Sequence, residues 1–286
     1  MAAAASAASG DSKSGHSTMT VSVPDSVLDA LAPLKGIFVK QHVDLLEHIT
    51  GWEQRNKYDL FAWVPPTEDD PTVESLRGGI VGDHAMARSE EEPGDVCHRQ
   101  CCGSARRWNM TTRLLLPAGV PPREGEPRLR FTKPFKCTFL CFAPPVVFVW
   151  WGDHVIAEVV SPWVCCEWHF KVGPPMHFED RTKVHPEVLD VEDHYWYTVS
   201  SPVCTSPLLC PCCYAQAKFK ITDTATGAEA GSIGKIWPGC GTSLTNATHF
   251  GLTFPEDALP MQKASLLACT MLLDFVASEN NSNKNH

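Results

Sequence analysis

Cysteine dominates the chemistry this chain could perform: there are 13, an odd number that cannot pair off completely within one chain. They fall in groups. Cys97, Cys101 and Cys102 precede Gly103, Cys137 and Cys141 are spaced C-x3-C, and Cys204, Cys210, Cys212 and Cys213 form a late group. Zinc takes four thiolate or imidazole ligands in tetrahedral reach, commonly from paired C-x2-C knuckles. Cys210 and Cys213 supply one such knuckle. Cys97, Cys101, Cys102, Cys204, Cys210, Cys212 and Cys213 are therefore the candidates for a zinc or thiol cluster. A plainer reading stands beside it: small buried thiols, with some loop cysteines open to acylation.

The other reactive residues point to no catalytic centre. His177, His185 and His194 share a stretch with Glu179, Asp180, Asp190 and Asp193, but no H-E-x-x-H spacing sets two imidazoles on one helix face. Ser104 lacks a G-x-S-x-G turn, and no phosphate-cradling P-loop or G-x-G-x-x-G occurs. An enzyme is not expected. Asn246 to Asp257 has the length of an EF-hand loop, with Gly251 at its sixth position. Ligands would fall at Asn246, Thr248, Phe250, Thr253 and Asp257. A hard cation wants several carboxylates, so a strand running into a helix cap is the favoured reading.

The elements that must position these residues are mostly strands. Asn56 to Trp63, Met110 to Leu116, Arg128 to Lys136, Val146 to Trp151 and His154 to Val160 read as β, the last two joined by Gly152-Asp153. Trp168 to Val172, Tyr195 to Ser200, Ala217 to Thr222, Ala230 to Trp237 and His249 to Phe254 continue the series, with Thr224 to Gly227 as a second hairpin turn. Ile37 to Ile49 fits either a strand or a helical stripe. Residues 1–25 read as a disordered Ala/Ser-rich tail, 26–278 as one domain, and 279–286 as a polar tail. Two acidic insertions interrupt the domain, about 64–96 and 173–194. So many short strands imply a closed or nearly closed sheet.

One apolar helix follows the last strand. Leu266, Leu267, Met271, Leu272 and Phe275 recur at helical spacing, while Ala264, Ala268 and Cys269 fill the other side. A helix apolar nearly all round belongs in a core or a bilayer. From Ala264 to Ala277 it measures about 21 Å, short of a ~30 Å hydrocarbon core, and it contains Asp274. These features predict a helix that fills the barrel. The formal net charge of -9, with no run of basic residues, argues against nucleic-acid binding. Met1 to Gly10 lacks a basic n-region, so no secretory signal is expected.

Several motifs, taken in order, resemble the phospholipid scramblase family. They are T-G-W-E-Q-R-N-K-Y ending at Tyr58, Cys97-His-Arg-Gln-Cys-Cys-Gly103, Phe135-Lys-Cys137, Cys210-Pro-Cys-Cys213, Gly234-Lys-Ile-Trp237, His249-Phe-Gly-Leu-Thr-Phe-Pro255 and Leu273-Asp-Phe275. The resemblance implies a mainly β, tubby-like closed barrel of about twelve strands around a central hydrophobic C-terminal helix. It implies ATP-independent, bidirectional movement of phospholipids between leaflets, stimulated by calcium in the family. Where the family's calcium segment is acidic, this chain has Asn246 and Thr248 and keeps only Asp257, so weak affinity is expected. The family's acylated cysteine patch is reduced to Cys137 and Cys141. Phospholipids or a membrane surface are the expected partners, with protein partners open. The expected location is the cytoplasmic face of the plasma membrane, held by acylation or by the helix. The alternative is a non-enzymatic, tethered barrel that binds lipid or acts as a scaffold.

Overall fold

The computed structural model describes residues 24–42, 55–67, 73–94, 106–116, 125–135, 144–162, 164, 167–189, 194–202, 216–236 and 248–282. Twelve strands follow a short helix α1 (Val27–Leu31): β1 (Gly36–His42), β2 (Lys57–Trp63), β3 (Ala87–Glu91), β4 (Trp108–Leu114), β5 (Leu129–Lys133) and β6 (Val146–Trp151). Then come β7 (His154–Val160), β8 (Glu167–Gly173), β9 (Tyr197–Pro202), β10 (Gln216–Asp223), β11 (Glu229–Ile236) and β12 (His249–Thr253). Helix α2 (Val73–Gly78) precedes β3, a 3-10 turn (Arg181–Lys183) and α3 (Pro186–Leu189) follow β8, and α4 (Pro260–Ser282) comes last.

Each strand pairs antiparallel with its neighbours in sequence, and β1 pairs with β12, so the sheet closes into an up-and-down barrel. Closure leaves no strand edge bare. The hairpins lie where turn chemistry places them: Gly152 and Gly227 both take positive φ, 59° and 70°, which glycine reaches at no steric cost.

Alternation along the strands decides what faces in. In β10, Phe219 and Ile221 are buried while Lys218 and Lys220 are exposed. The inward residues of the strands form one core with α4, which packs against β6, β7, β8, β12 and α1. Leu266, Leu267 and Leu272 are 0% exposed, Met271 1% and Phe275 4%. Each such large apolar side chain contributes roughly 1.5–3 kcal/mol on burial, an upper value against an extended chain. The amino end of α4 is tied by Lys263, whose Nζ donates to the carbonyls of Ala32 at 2.6 Å and Leu34 at 2.9 Å. Outside the barrel, α2 lays Leu76 on Phe38, Trp63 and Ile236.

The described residues of the acidic stretch 64–96 include α2 and the whole of β3. Strand β3 hides from an apolar-pattern search because its buried residues include Ser89 and Glu91. Stretch 173–194 carries the 3-10 turn and α3, and α4 runs to Ser282, into the polar end. Replacing Leu272 by Ala is expected to cost ~2–5 kcal/mol in denaturant unfolding. Lys220→Ala on the outer face should stay within about 0.5 kcal/mol.

Candidate functional site

The barrel interior changes character at the carboxyl end of α4. The alternation that places Leu60 and Phe131 in the core also turns Tyr58 and Lys133 inward, and at this end the inward positions are polar. Tyr58 Oη donates to Asp274 Oδ2 at 2.7 Å, across 216 residues of sequence. Glu91 Oε1 pairs with Arg106 Nη1 at 2.6 Å, with both side chains almost fully buried. The other Glu91 oxygen accepts from the Asn56 backbone N–H at 3.1 Å. Lys133 Nζ donates to the Arg106 carbonyl at 2.8 Å, and Ser89 and Thr112 share a hydroxyl hydrogen bond of 2.7 Å.

The last buried turn of α4 sits inside this layer. The Phe275 ring lies under two cations, with the Arg106 guanidinium 4.6 Å and Lys133 Nζ 5.2 Å from its centroid. Such contacts gain strength when desolvated. Trp108 stands 5.9 Å from the same ring. One residue earlier, Asp274 is 2% exposed. Thr248 lies beside its carboxylate, but no hydrogen bond of ordinary geometry reaches Oδ1 among the described residues.

The electrostatics follow from this burial. Burial raises the Asp274 pKa, opposed by the Lys235 charge and the Tyr58 hydrogen bond. Burial, then the Asp274 charge, holds the Tyr58 phenol well above its ordinary value. Burial lowers Lys235, opposed by Asp274. Burial likewise raises the Cys269 thiol, which makes it an inert core residue and no nucleophile. This arrangement latches the end of α4 inside the barrel. It sets no nucleophile beside a base.

The sequence-predicted residues distribute around it. Cys269 is the one described cysteine, free and buried. Cys97, Cys101, Cys102, Cys137, Cys141, Cys204, Cys210, Cys212 and Cys213 lie outside the described residues. The strand ends flanking their connections nevertheless share one end of the barrel, since Glu91, Trp108, Lys133, Val146, Pro202 and Gln216 all lie toward the carboxyl end of α4. No group of three His, Cys, Asp or Glu able to hold a metal occurs among the described residues.

Asn246 is outside the described residues. Phe250 points into the core from β12, Thr253 ends that strand, and Asp257 lies in the turn before α4. Thr248 directly precedes β12, so the described members follow the chain from that strand into the turn, and Phe250 has no side-chain oxygen to offer a hard cation. The residues that sequence reasoning missed are Tyr58, Glu91, Arg106, Lys133 and Lys235. Charges at inward strand positions could have signalled Glu91, Lys133 and Lys235, but not Tyr58 or Arg106, which precedes β4.

Comparison with known proteins places the chain. The Scramblase family matches residues 79–280. Phospholipid scramblase 1 of Rattus norvegicus is 25% identical over 269 residues, which is 90% of this chain and 64% of that protein. Phospholipid scramblase 2 of Bos taurus is 25% identical over 263 residues, 88% of this chain and 71% of that protein. Phospholipid scramblase 4 of Mus musculus is 23% identical over 252 residues, 88% of this chain and 64% of that protein. The chain thus spans less than two thirds of the rat relative. No solved structure matches it.

The latch makes stability depend on pH. A carboxyl whose folded pKa is raised contributes stability below the ordinary carboxylate range and loses it as pH rises through the folded value. Asp274→Asn keeps an acceptor for Tyr58 and removes the ionisation. As pH rises above the carboxylate range, the wild-type chain should therefore lose up to about 1.4 kcal/mol per pH unit relative to D274N. Denaturant unfolding across pH 5–9 measures this, and parallel curves would contradict it.

Proposed function

Because this chain belongs to the Scramblase family, we propose that it moves phospholipids between bilayer leaflets, in both directions and without ATP. The family match over residues 79–280 is the observation that carries this reading. The substrate is a membrane phospholipid. No bond of the lipid is made or broken, so the reading needs no catalytic group.

The fold constrains how this could work. The barrel interior is filled by α4 and the inward side chains, which leaves the outer wall and the two ends for lipid contact. No helix among the described residues is long and apolar enough to cross a membrane, a statement that leaves strands aside. Membrane attachment, in this reading, is at the cytoplasmic face of the plasma membrane through acyl chains on Cys137 and Cys141. One acyl chain gives only marginal, reversible binding, so two signals are needed.

A second reading is favoured by one observation, the burial of α4 as the barrel's axle. In it the chain is a tethered barrel that binds lipid or serves as a scaffold without moving lipid itself. Reconstitution decides between them. Vesicles with fluorescent lipid and the purified full chain should lose the protected inner-leaflet signal to an outside quencher, with no ATP present. An unchanged protected fraction at every protein density would favour the tethered barrel. Calcium is expected to change the rate by less than about twofold up to ~1 mM, the affinity range of weak sites. Replacing Cys137 and Cys141 by Ser should shift the chain out of the membrane fraction. Retention of that variant after alkaline carbonate washing would contradict attachment by acylation.

A further inference from the structure

One feature of the barrel's outer wall is required neither by closure nor by the core. Phe148 and Trp150 lie two residues apart on β6, and Phe178, from the stretch after β8, meets both edge to face. Ring centroids are 5.0 Å apart at 71° for Phe148 and 5.3 Å apart at 90° for Trp150. Trp150 Nε1 donates to Thr132 Oγ1 at 2.8 Å, which fixes the indole. The Arg130 guanidinium lies over that indole, 5.2 Å from its centroid. Its Nη2 reaches the Gly152 carbonyl at 3.4 Å, and no carboxylate pairs with it among the described residues. All four side chains are half-buried, and Glu179 beside Phe178 is exposed.

Phe178 is positioned by a costly device. Glu158 sits on the outer face of β7, opposite Phe148, and is 0% exposed. Its Oε2 accepts from the His177 backbone N–H at 2.9 Å, and its Oε1 lies 2.7 Å from His177 Nδ1. Tyr195 Oη stands 3.4 Å from Oε1. Desolvating a carboxylate is expensive. An apolar residue at 158 would cover the sheet without that cost, but it would not grip the residue just before Phe178.

We propose that Arg130, Phe148, Trp150 and Phe178 form a recognition site for the phosphocholine headgroup of a membrane phospholipid. A quaternary ammonium cannot donate hydrogen bonds and is taken by aromatic rings. A guanidinium lacking a carboxylate partner is matched to a phosphate. The headgroup carries both charges a few ångströms apart, and the wall presents both complements side by side, with Glu179 adding negative potential near the rings. The lipid, rather than a soluble ligand, is the assigned source because the site lies on the outer wall, where the filled interior leaves lipid contact. The site thus rests on the lipid-handling reading above and names its headgroup.

The test is calorimetric titration of the full chain with dihexanoyl-phosphatidylcholine below its micelle concentration, free phosphocholine, choline and inorganic phosphate. The short-chain lipid should bind tightest and phosphate alone should not bind. Phe178→Ala should weaken the lipid by about tenfold or more. Arg130→Gln should weaken lipid and phosphocholine alike while leaving choline unchanged, and it decides the matter if F178A loosens its surroundings. Unchanged affinity in both variants, or no binding by the parent chain, overturns the site. Free phosphocholine binding as tightly as the lipid overturns its assignment to a membrane lipid. The vesicle assay separates the two claims: headgroup binding without lipid movement keeps the site and removes scrambling, and movement without headgroup binding does the reverse.

Discussion

A closed sheet of twelve strands encloses more space than strand side chains alone can fill, and every other feature of this structure follows from how that space is filled. Helix α4 fills it. Its buried residues mix small with large, with Ala264, Ala268 and Cys269 among Leu266, Leu267, Met271 and Leu272. Interiors pack at near-crystalline density, so the helix and the barrel wall specify each other. Neither is a plausible folded unit alone, since the strands would surround a void and the helix would expose an apolar surface on every side.

Three buried carboxylates show three solutions to one electrostatic problem. Glu91 is paired with Arg106 and also takes a backbone N–H. Asp274 receives a phenol, while burial itself pushes it toward the neutral form. Glu158 accepts from a backbone N–H and meets an imidazole. The first two lie inside the barrel and fix its axle. The third lies outside and fixes the segment that follows β8. Polar groups are thus concentrated where an element must sit in one orientation, and the apolar core elsewhere is left to packing.

Much of this architecture was legible in the chain before any coordinates. Strands with one wet face, such as β10 with Lys218 and Lys220 outward, announce themselves by alternation. Gly152 and Gly227 mark their turns, and the length of the apolar run and Asp274 favour a core position for α4. Strand β3 was hidden because its inward residues include Ser89 and Glu91, which hydrogen-bond to Thr112 and Arg106 rather than pack as hydrocarbon. The polar layer was hidden for a different reason. Tyr58 and Asp274 are 216 residues apart, and nothing local to either announces the other. In residues 246–257 length and a central glycine fit a loop, but the missing carboxylates favour a strand running into a helix cap, and Phe250 and Leu252 belong to a buried strand.

The pairing of β1 with β12 sets an order of events. Val39 meets Phe250, and the carbonyls of Ala32 and Leu34 wait for Lys263. A chain emerging amino end first must therefore carry one side of β1 without its partner until nearly all of the domain has been made. Sequential hairpins can form as they appear, but the ring and its axle can be completed only once β12 and α4 have been made. Until then the growing sheet has an open edge and an apolar inner face. Those are the surfaces on which nascent chains most readily associate, and a chaperone would have reason to cover them.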